Sequence, residues 1–172
     1  MTSSGLSIRR LALADMDAAA RVHRAAFDDA LPWLAGLHTP DEDRWFYRER
    51  ILATCTLWGA FDGEAMRGVI AFHDDWIEQL YLLPAAQGRG IGGALLDIAK
   101  QGRDRLQLWT FQRNARARRF YDAHGFVPVE QTDGSRNEEK EPDVRYLWIR
   151  AARRSPAMSS AASSRRLMLM PG

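Results

Sequence analysis

Apolar and polar positions change period several times along this chain, and each change predicts an element. Residues 7–13 alternate as a short strand, and Asp15 is placed to cap a helix that continues through 18–27 with Val22 and Phe27 on its apolar side. Residues 31–38 form an aromatic, proline-bearing loop. Thr39-Pro40-Asp41-Glu42 is a helix start: Thr39 caps, Pro40 takes the first helical position, and Glu42 closes a capping box on a helix that runs to about Ala53. Residues 54–61 and 66–73 read as strands joined at Asp62-Gly63, a hairpin signal, and 76–83 as the next strand. From 91 to 105, Ile91, Leu95 and Ile98 recur at helical spacing, followed by a strand at 106–111. Asn114 can cap a helix that ends before Gly125, a residue suited to the left-handed position after a helix. Residues 126–131 and 144–150 are the last strands, joined by a polar loop at 132–143. The order β α α β β β α β α β β predicts one α/β domain over 1–150, an α+β sandwich whose mixed sheet carries helices on its faces.

Composition narrows the function. Hydrophobic residues make up 46% and charged residues 27% of 172, which fits one globular domain with a sizeable core. A single cysteine, Cys55, excludes an internal disulfide framework and a cysteine-built zinc site. His23, His38, His73 and His124 lie far apart without ligand spacing, so no metal is expected. No apolar run approaches about 18 residues and the start has no signal-peptide pattern, so no membrane partner is expected and a cytoplasmic location is the default. The pI near 9 comes from the segment 151–172, which is rich in Ser, Ala and Arg and is expected to be disordered. Its four arginines have no acids beside them. Without them the formal charge of +2 becomes −2, so no nucleic-acid partner is expected. Lysines number only Lys100 and Lys140, against 22 arginines, which with the abundant alanine hints at a GC-rich bacterial genome.

The chemistry centres on one turn. The strand at 76–83 stops at Pro84, and Gly88, Gly90, Gly92 and Gly93 then open onto the next helix. Glycines let backbone approach a ligand closely, and the free N–H groups of a helix start attract phosphate. Gly88-Arg89-Gly90-Ile91-Gly92-Gly93 fits G-x-G-x-x-G, but four residues separate it from its strand and the following strand ends in Thr-Phe-Gln rather than an acid. A dinucleotide fold is therefore disfavoured, and the missing Gly-Lys-Ser/Thr excludes a P-loop. The fuller pattern is Gln87-x-x-Gly90-x-Gly92 after Leu80-Tyr81-Leu82-x-Pro84, then Asn114-x-x-Ala117-x-x-x-Tyr121, then Gly125-Phe126. This resembles the GNAT superfamily of acetyl-CoA-dependent N-acetyltransferases over residues 7–150.

The resemblance implies a mostly antiparallel central sheet and an acyltransferase moving an acetyl group from acetyl-CoA to a primary amine of a small molecule or protein. It also implies a site. Backbone N–H groups of Gln87, Gly88, Arg89, Gly90, Ile91, Gly92 and Gly93 would bind the CoA pyrophosphate, and Arg89 is either a phosphate contact or a solvated arginine. Pantetheine would pair with the backbone of Leu80, Tyr81 and Leu82 as an added strand. Asn114 and Tyr121 are two helical turns apart and share a face. The family places the asparagine near pantetheine and the tyrosine hydroxyl near the sulfur. Read alone, Asn114 is a helix cap and Tyr121 a core residue. Glu78 is the candidate base, or else an exposed strand carboxylate, with His73, Asp74 and Asp75 at the neighbouring strand end as secondary candidates, and alternation puts Glu78 on one side with Trp76, Leu80 and Leu82. The loops 31–38 and 137–141 are expected around the acceptor, where an aromatic and acids could hold a cationic amine, although Glu138 to Glu141 read first as a solvated run. Trp45, Phe46, Trp58, Trp109 and Trp148 read as core, and Cys55 as inert. Many family members form homodimers, but no surface for one is marked in the sequence. The alternative function is a non-catalytic acyl-CoA sensor on the same fold.

Overall fold

The computed structural model of the chain describes residues 5–152. Of the expected tail at 151–172, residues 153–172 lie outside the described residues. Seven strands form one sheet in the order β1-β2-β3-β4-β5-β7-β6. They are β1 (Leu6–Arg10), β2 (Thr56–Asp62), β3 (Ala65–His73), β4 (Trp76–Leu82), β5 (Arg105–Phe111), β6 (Val127–Gln131) and β7 (Asp143–Ile149). Neighbours are antiparallel except β4 and β5, which run parallel and meet at one pair, Trp76 with Gln107. The sheet is thus two antiparallel halves joined at one point and splayed beyond it.

Helices cover both faces. On one lie α1 (Met16–Ala30), α2 (Pro40–Trp45), a π-helical stretch (Phe46–Ile51) and α3 (Leu52–Thr54); on the other lie α4 (Ile91–Lys100) and α5 (Ala115–Ala123). Strand alternation sorts the core accordingly. Leu57, Val69 and Ala71 pack with Met16, Ala19, Tyr47 and Ile51, whereas Ile70, Phe72 and Leu106 pack with Leu95, Leu96 and Phe126. Each fully buried leucine in these layers contributes roughly 2 kcal/mol of transfer free energy.

Local chemistry sets most boundaries. Thr39 accepts from the Glu42 N–H at 3.3 Å and Glu42 accepts from the Thr39 N–H at 2.7 Å, the expected capping box. Three expectations need correction. β1 stops at Arg10, not at residue 13, because Leu13–Asp15 wind into a 3-10 turn. The Asp15 side chain accepts from the Ala12 N–H at 2.8 Å and from Arg9, instead of capping α1. α4 ends at Lys100, not near residue 105, since Gly102 (φ +68°) reverses the chain and Arg105 already pairs with Ile149.

Candidate active site

The linker after β4 builds the first wall. A 3-10 turn, Pro84–Ala86, leads to Gly88 (φ +75°) and Gly90 (φ +79°), left-handed conformations that disfavour any side chain. Gly90 is the N-cap of α4 and offers no side-chain cap, so the N–H groups of the first turn stay available. At Gly92 an added Cβ would stand 2.9 Å from the Phe120 ring, which is why α4 and α5 approach so closely there. Gly93 faces Nε2 of His124 at 2.8 Å from the position of such a Cβ. Arg116 of α5 donates to the Gln87 side chain, tying the turn to the second helix.

The splay supplies the cavity. Beyond Trp76 the β5-facing edge of β4 has no strand partner, while its other edge pairs with β3 from Gly68 to His73. A cavity of about 690 Å³ fills the opening. It brings together Glu78, Leu80, Tyr81, Leu82, Gln87, Gly88, Gly90, Gly92, Gly93, Asn114 and Tyr121, eleven of the residues singled out from sequence. Arg89 and Ile91 do not line it. The Arg89 side chain is exposed, and Ile91 is buried in the core beneath α4.

Tyr121 is buried between Phe120, Phe126 and Tyr146, yet its hydroxyl has no hydrogen-bond partner among the described residues. Burial pushes the phenol pKa well up, so this group stays protonated and acts as a donor. Asn114 serves both readings at once: its Oδ1 accepts from the Ala117 N–H at 3.1 Å, capping α5, and the residue also lines the cavity.

Glu78 departs from the expected alternation. Ala71 pairs with Gln79 and Phe72 with Ile77, so Glu78 is the extra residue of a β-bulge. Ile77, not Glu78, joins Leu80 and Leu82 on the α4/α5 face. The bulged Glu78 carboxylate meets Nε2 of His73 at 2.8 Å, and Nδ1 of His73 lies 3.3 Å from Asp74. The Glu78 hydrogen bond raises the His73 pKa above its ordinary 6.5. A smaller cavity of about 320 Å³, lined by His73, Trp76 and Trp109, shares Ile77, Glu78 and Trp109 with the larger one.

Other side chains were not legible in the sequence. Ala26, Phe27 and Ala30 of α1, with Leu31 just after it, close the cavity opposite α5. His23 stacks on Tyr81 at 4.2 Å and meets the Tyr47 hydroxyl at 3.0 Å; burial holds its pKa down to about 4, so it is neutral. Arg24 pairs with the buried Asp43 at 2.6 Å. The expected amine cage is filled from within: the Arg113 guanidinium sits 3.7 Å over the Trp33 ring and 3.2 Å from Glu141, which also accepts from the Trp33 indole N–H. Glu141 is buried rather than part of a solvated run. Trp45 and Trp109 are exposed rather than core, and Trp109 lines the cavity. Cys55 lines neither cavity, and burial pushes its thiol pKa up.

Residues 41–128, half of the chain, match the Acetyltransferase (GNAT) domain family. The chain belongs to the GNAT acetyltransferases. Relatives of this GNAT chain include a mycothiol acetyltransferase of Beutenbergia cavernae, 46% identical over 59 residues that make up 30% of this chain and 20% of the relative. Another is the peptidyl-lysine N-acetyltransferase YiaC of Escherichia coli, 26% identical over 102 residues, 59% of this chain and 62% of the relative. The GNAT chain thus spans less than two thirds of these curated relatives. Among solved structures, apo YjaB of E. coli aligns with TM-score 0.71 at 20% identity over 86% of this chain and 99% of that one. YncA of Salmonella typhimurium, solved with acetyl-CoA, aligns with TM-score 0.64 at 20% identity over 90% and 99%. These likenesses establish the GNAT fold. No helix among the described residues is long and apolar enough to cross a membrane.

Proposed function

We propose that the chain transfers the acetyl group of acetyl-CoA to a primary amine, on a small molecule or a protein, by direct attack in a ternary complex. The observation that carries this reading is the slot itself. It runs from a glycine-capped helix start, along an unpartnered strand edge, past an unpartnered tyrosine hydroxyl, to a bulged carboxylate. Each feature suits one part of the donor. The N–H groups of the Gln87–Gly93 turn receive the pyrophosphate. The open edge at Leu80, Tyr81 and Leu82 receives an extended amide-bearing arm as a strand partner. Asn114 borders that arm.

The chemistry follows from charge flow. The neutral amine nitrogen attacks the thioester carbonyl, a C–N bond forms, and the C–S bond breaks. The leaving thiolate takes a hydrogen bond from the Tyr121 hydroxyl, which burial keeps protonated. The proton lost by the amine passes to the Glu78–His73 pair, whose 2.8 Å contact leads toward solvent. Direct attack is favoured over an acyl-enzyme because Cys55, the sole cysteine, lines neither cavity and burial disfavours its thiolate.

The test is initial-rate kinetics of CoA thiol release, with acetyl-CoA and amine varied together. Double-reciprocal lines that intersect support direct transfer. Parallel lines indicate an acetylated enzyme and overturn it, and acetyl-CoA binding without turnover of any amine indicates the sensor alternative.

A further inference from the structure

We infer that His124 binds the pyrophosphate of the donor through Nε2 and that its imidazole takes up a proton to do so, which links donor binding to pH. This deepens the proposed transferase reading and rests on it. The glycine turn receives the phosphates through backbone N–H groups, and the end of α5 sets an imidazole against the same turn. His124 lines the large cavity together with Gly92 and Gly93.

Several contacts fix the ring. Its Nδ1 lies 2.8 Å from the Phe120 carbonyl. A carbonyl only accepts, so Nδ1 carries the hydrogen and Nε2 of the neutral ring holds a lone pair. The ring lies against Phe120 at 4.3 Å between centroids, and the His124 carbonyl accepts from Lys100 Nζ at 3.0 Å. Nε2 itself has no hydrogen-bond partner among the described residues. It faces Gly93, where a Cβ would stand only 2.8 Å away, so glycine at 93 makes the room that the ring occupies. Gly93 is the third residue of α4, and the first bond into that helix runs from the Ala94 N–H to the Gly90 carbonyl. The Gly93 N–H therefore has no helical partner. An anion drawn to the first turn of α4 arrives beside Nε2.

The proton follows from the chemistry of the pair. The oxygens of an ionised pyrophosphate accept and do not donate, so a lone pair on Nε2 repels them. Bonding needs a hydrogen on Nε2 while Nδ1 keeps its own on Phe120, and that species is the imidazolium. The added proton comes from solvent. Histidine is the side chain that titrates nearest neutrality, so the uptake falls in a measurable range. The charged groups on the elements packed against the ring are Asp97 and Lys100 of α4, Arg116, Arg119 and Asp122 of α5, and Arg89 of the turn. The arginines keep their charge and exchange no proton. Asp97 and Asp122 are exposed, and neither pairs with His124 among the described residues. Asp97 lies one helical turn beyond Gly93, so it is the other group to be tested.

The experiment is isothermal calorimetry of the full chain with acetyl-CoA and with 3′-dephospho-CoA at pH 7.5, in HEPES and in Tris. These buffers differ in ionisation enthalpy, so the difference in heat counts the protons exchanged on binding. Wild type is expected to take up roughly 0.3–1 proton per site with both ligands. His124→Asn keeps an amide N–H for the Phe120 carbonyl and loses Nε2. Its uptake is expected to vanish, and its affinity for acetyl-CoA at pH 6.5 to fall about tenfold. Gly93→Ala seats a Cβ against Nε2 in a helix that alanine favours, and is expected to lose the uptake as well. Asp97→Asn is expected to keep it. Binding of acetyl-CoA by wild type without uptake overturns the inference, as does uptake retained in either of the first two variants. Loss of the uptake with 3′-dephospho-CoA assigns the proton to the 3′-phosphate, and loss in Asp97→Asn assigns it to that carboxylate; either overturns the role given to His124. Absence of acetyl-CoA binding by wild type overturns the transferase reading beneath it.

Discussion

Replacing Tyr121 by phenylalanine removes one oxygen and isolates the role assigned to it. The ring keeps its contacts with Phe120, Phe126 and Tyr146, at centroid distances of 5.2, 5.5 and 5.9 Å. The hydroxyl has no hydrogen-bond partner to lose among the described residues, so the variant leaves no protein group unsatisfied. Stability should therefore change by less than about 0.5 kcal/mol. The transition state, by contrast, loses a hydrogen bond to a developing thiolate. Bonds to charged groups are worth about 1.5–3 kcal/mol, which corresponds to a fall in kcat of roughly 10- to 150-fold. KM for acetyl-CoA should move little, because the charge on sulfur is absent from the ground state. The assay is thiol release with a chromogenic disulfide, alongside a thermal melt. A kcat within twofold of wild type would refute the donor role. A melting temperature lowered by several degrees would show that the hydroxyl holds the fold instead.

Three further outcomes follow from charges on the α1 face and at the bulge. His23 has a folded-state pKa of about 4 against an ordinary 6.5, so the unfolded chain takes its proton first; stability is full above pH 6.5 and falls by about 1.4 kcal/mol per unit toward pH 4. Urea unfolding of His23→Gln at pH 7 and pH 5 should show a difference about 2 kcal/mol smaller than in wild type, and an equal difference would contradict the buried neutral imidazole. Asp43→Asn leaves Arg24 with only Asp28 and should cost about 3 kcal/mol, a melting shift of roughly 6–12 °C, whereas a shift below 2 °C would show that the pair is dispensable. The Glu78 contact raises the His73 pKa, so amine transfer should gain rate as pH climbs through an inflection above 6.5. That inflection should vanish in His73→Asn and the rate should fall in Glu78→Gln; an unchanged pH profile in both variants would remove the pair from the proton path.

The parts of this site that were readable from sequence are those written locally. Glycines at 88 and 90 announce left-handed backbone because few other residues adopt it, and Asn114 to Tyr121 share a face because helical geometry is fixed by spacing. The capping box at Thr39 is local in the same way. The bulge was hidden because it is a property of two strands: whether Glu78 or Ile77 faces α4 depends on the register of β3 against β4, and nothing within 76–82 encodes the insertion. The α1 wall was half visible, since Phe27 was on the apolar side, but its use as a cavity lining depends on where β4 and β5 part. Arg113 over Trp33 joins residues eighty positions apart, and no local pattern marks such a contact. Tryptophan was read by its usual burial, and the exposure of Trp45 and Trp109 reflects positions on a helix surface and at the splayed strand.

The central claim is that the glycine turn receives the phosphates of acetyl-CoA. It is tested most directly by isothermal calorimetry of acetyl-CoA with the wild-type chain and with Gly90→Glu. A Cβ at Gly90 meets nothing within 4 Å, so the new carboxylate is accommodated at the helix start, where it adds left-handed strain of about 1–2 kcal/mol and a negative charge. Micromolar binding by wild type that weakens at least tenfold in the variant, with the fold retained in circular dichroism, is the predicted result. Equal affinities would place the phosphates elsewhere, and no binding by wild type would contradict the account.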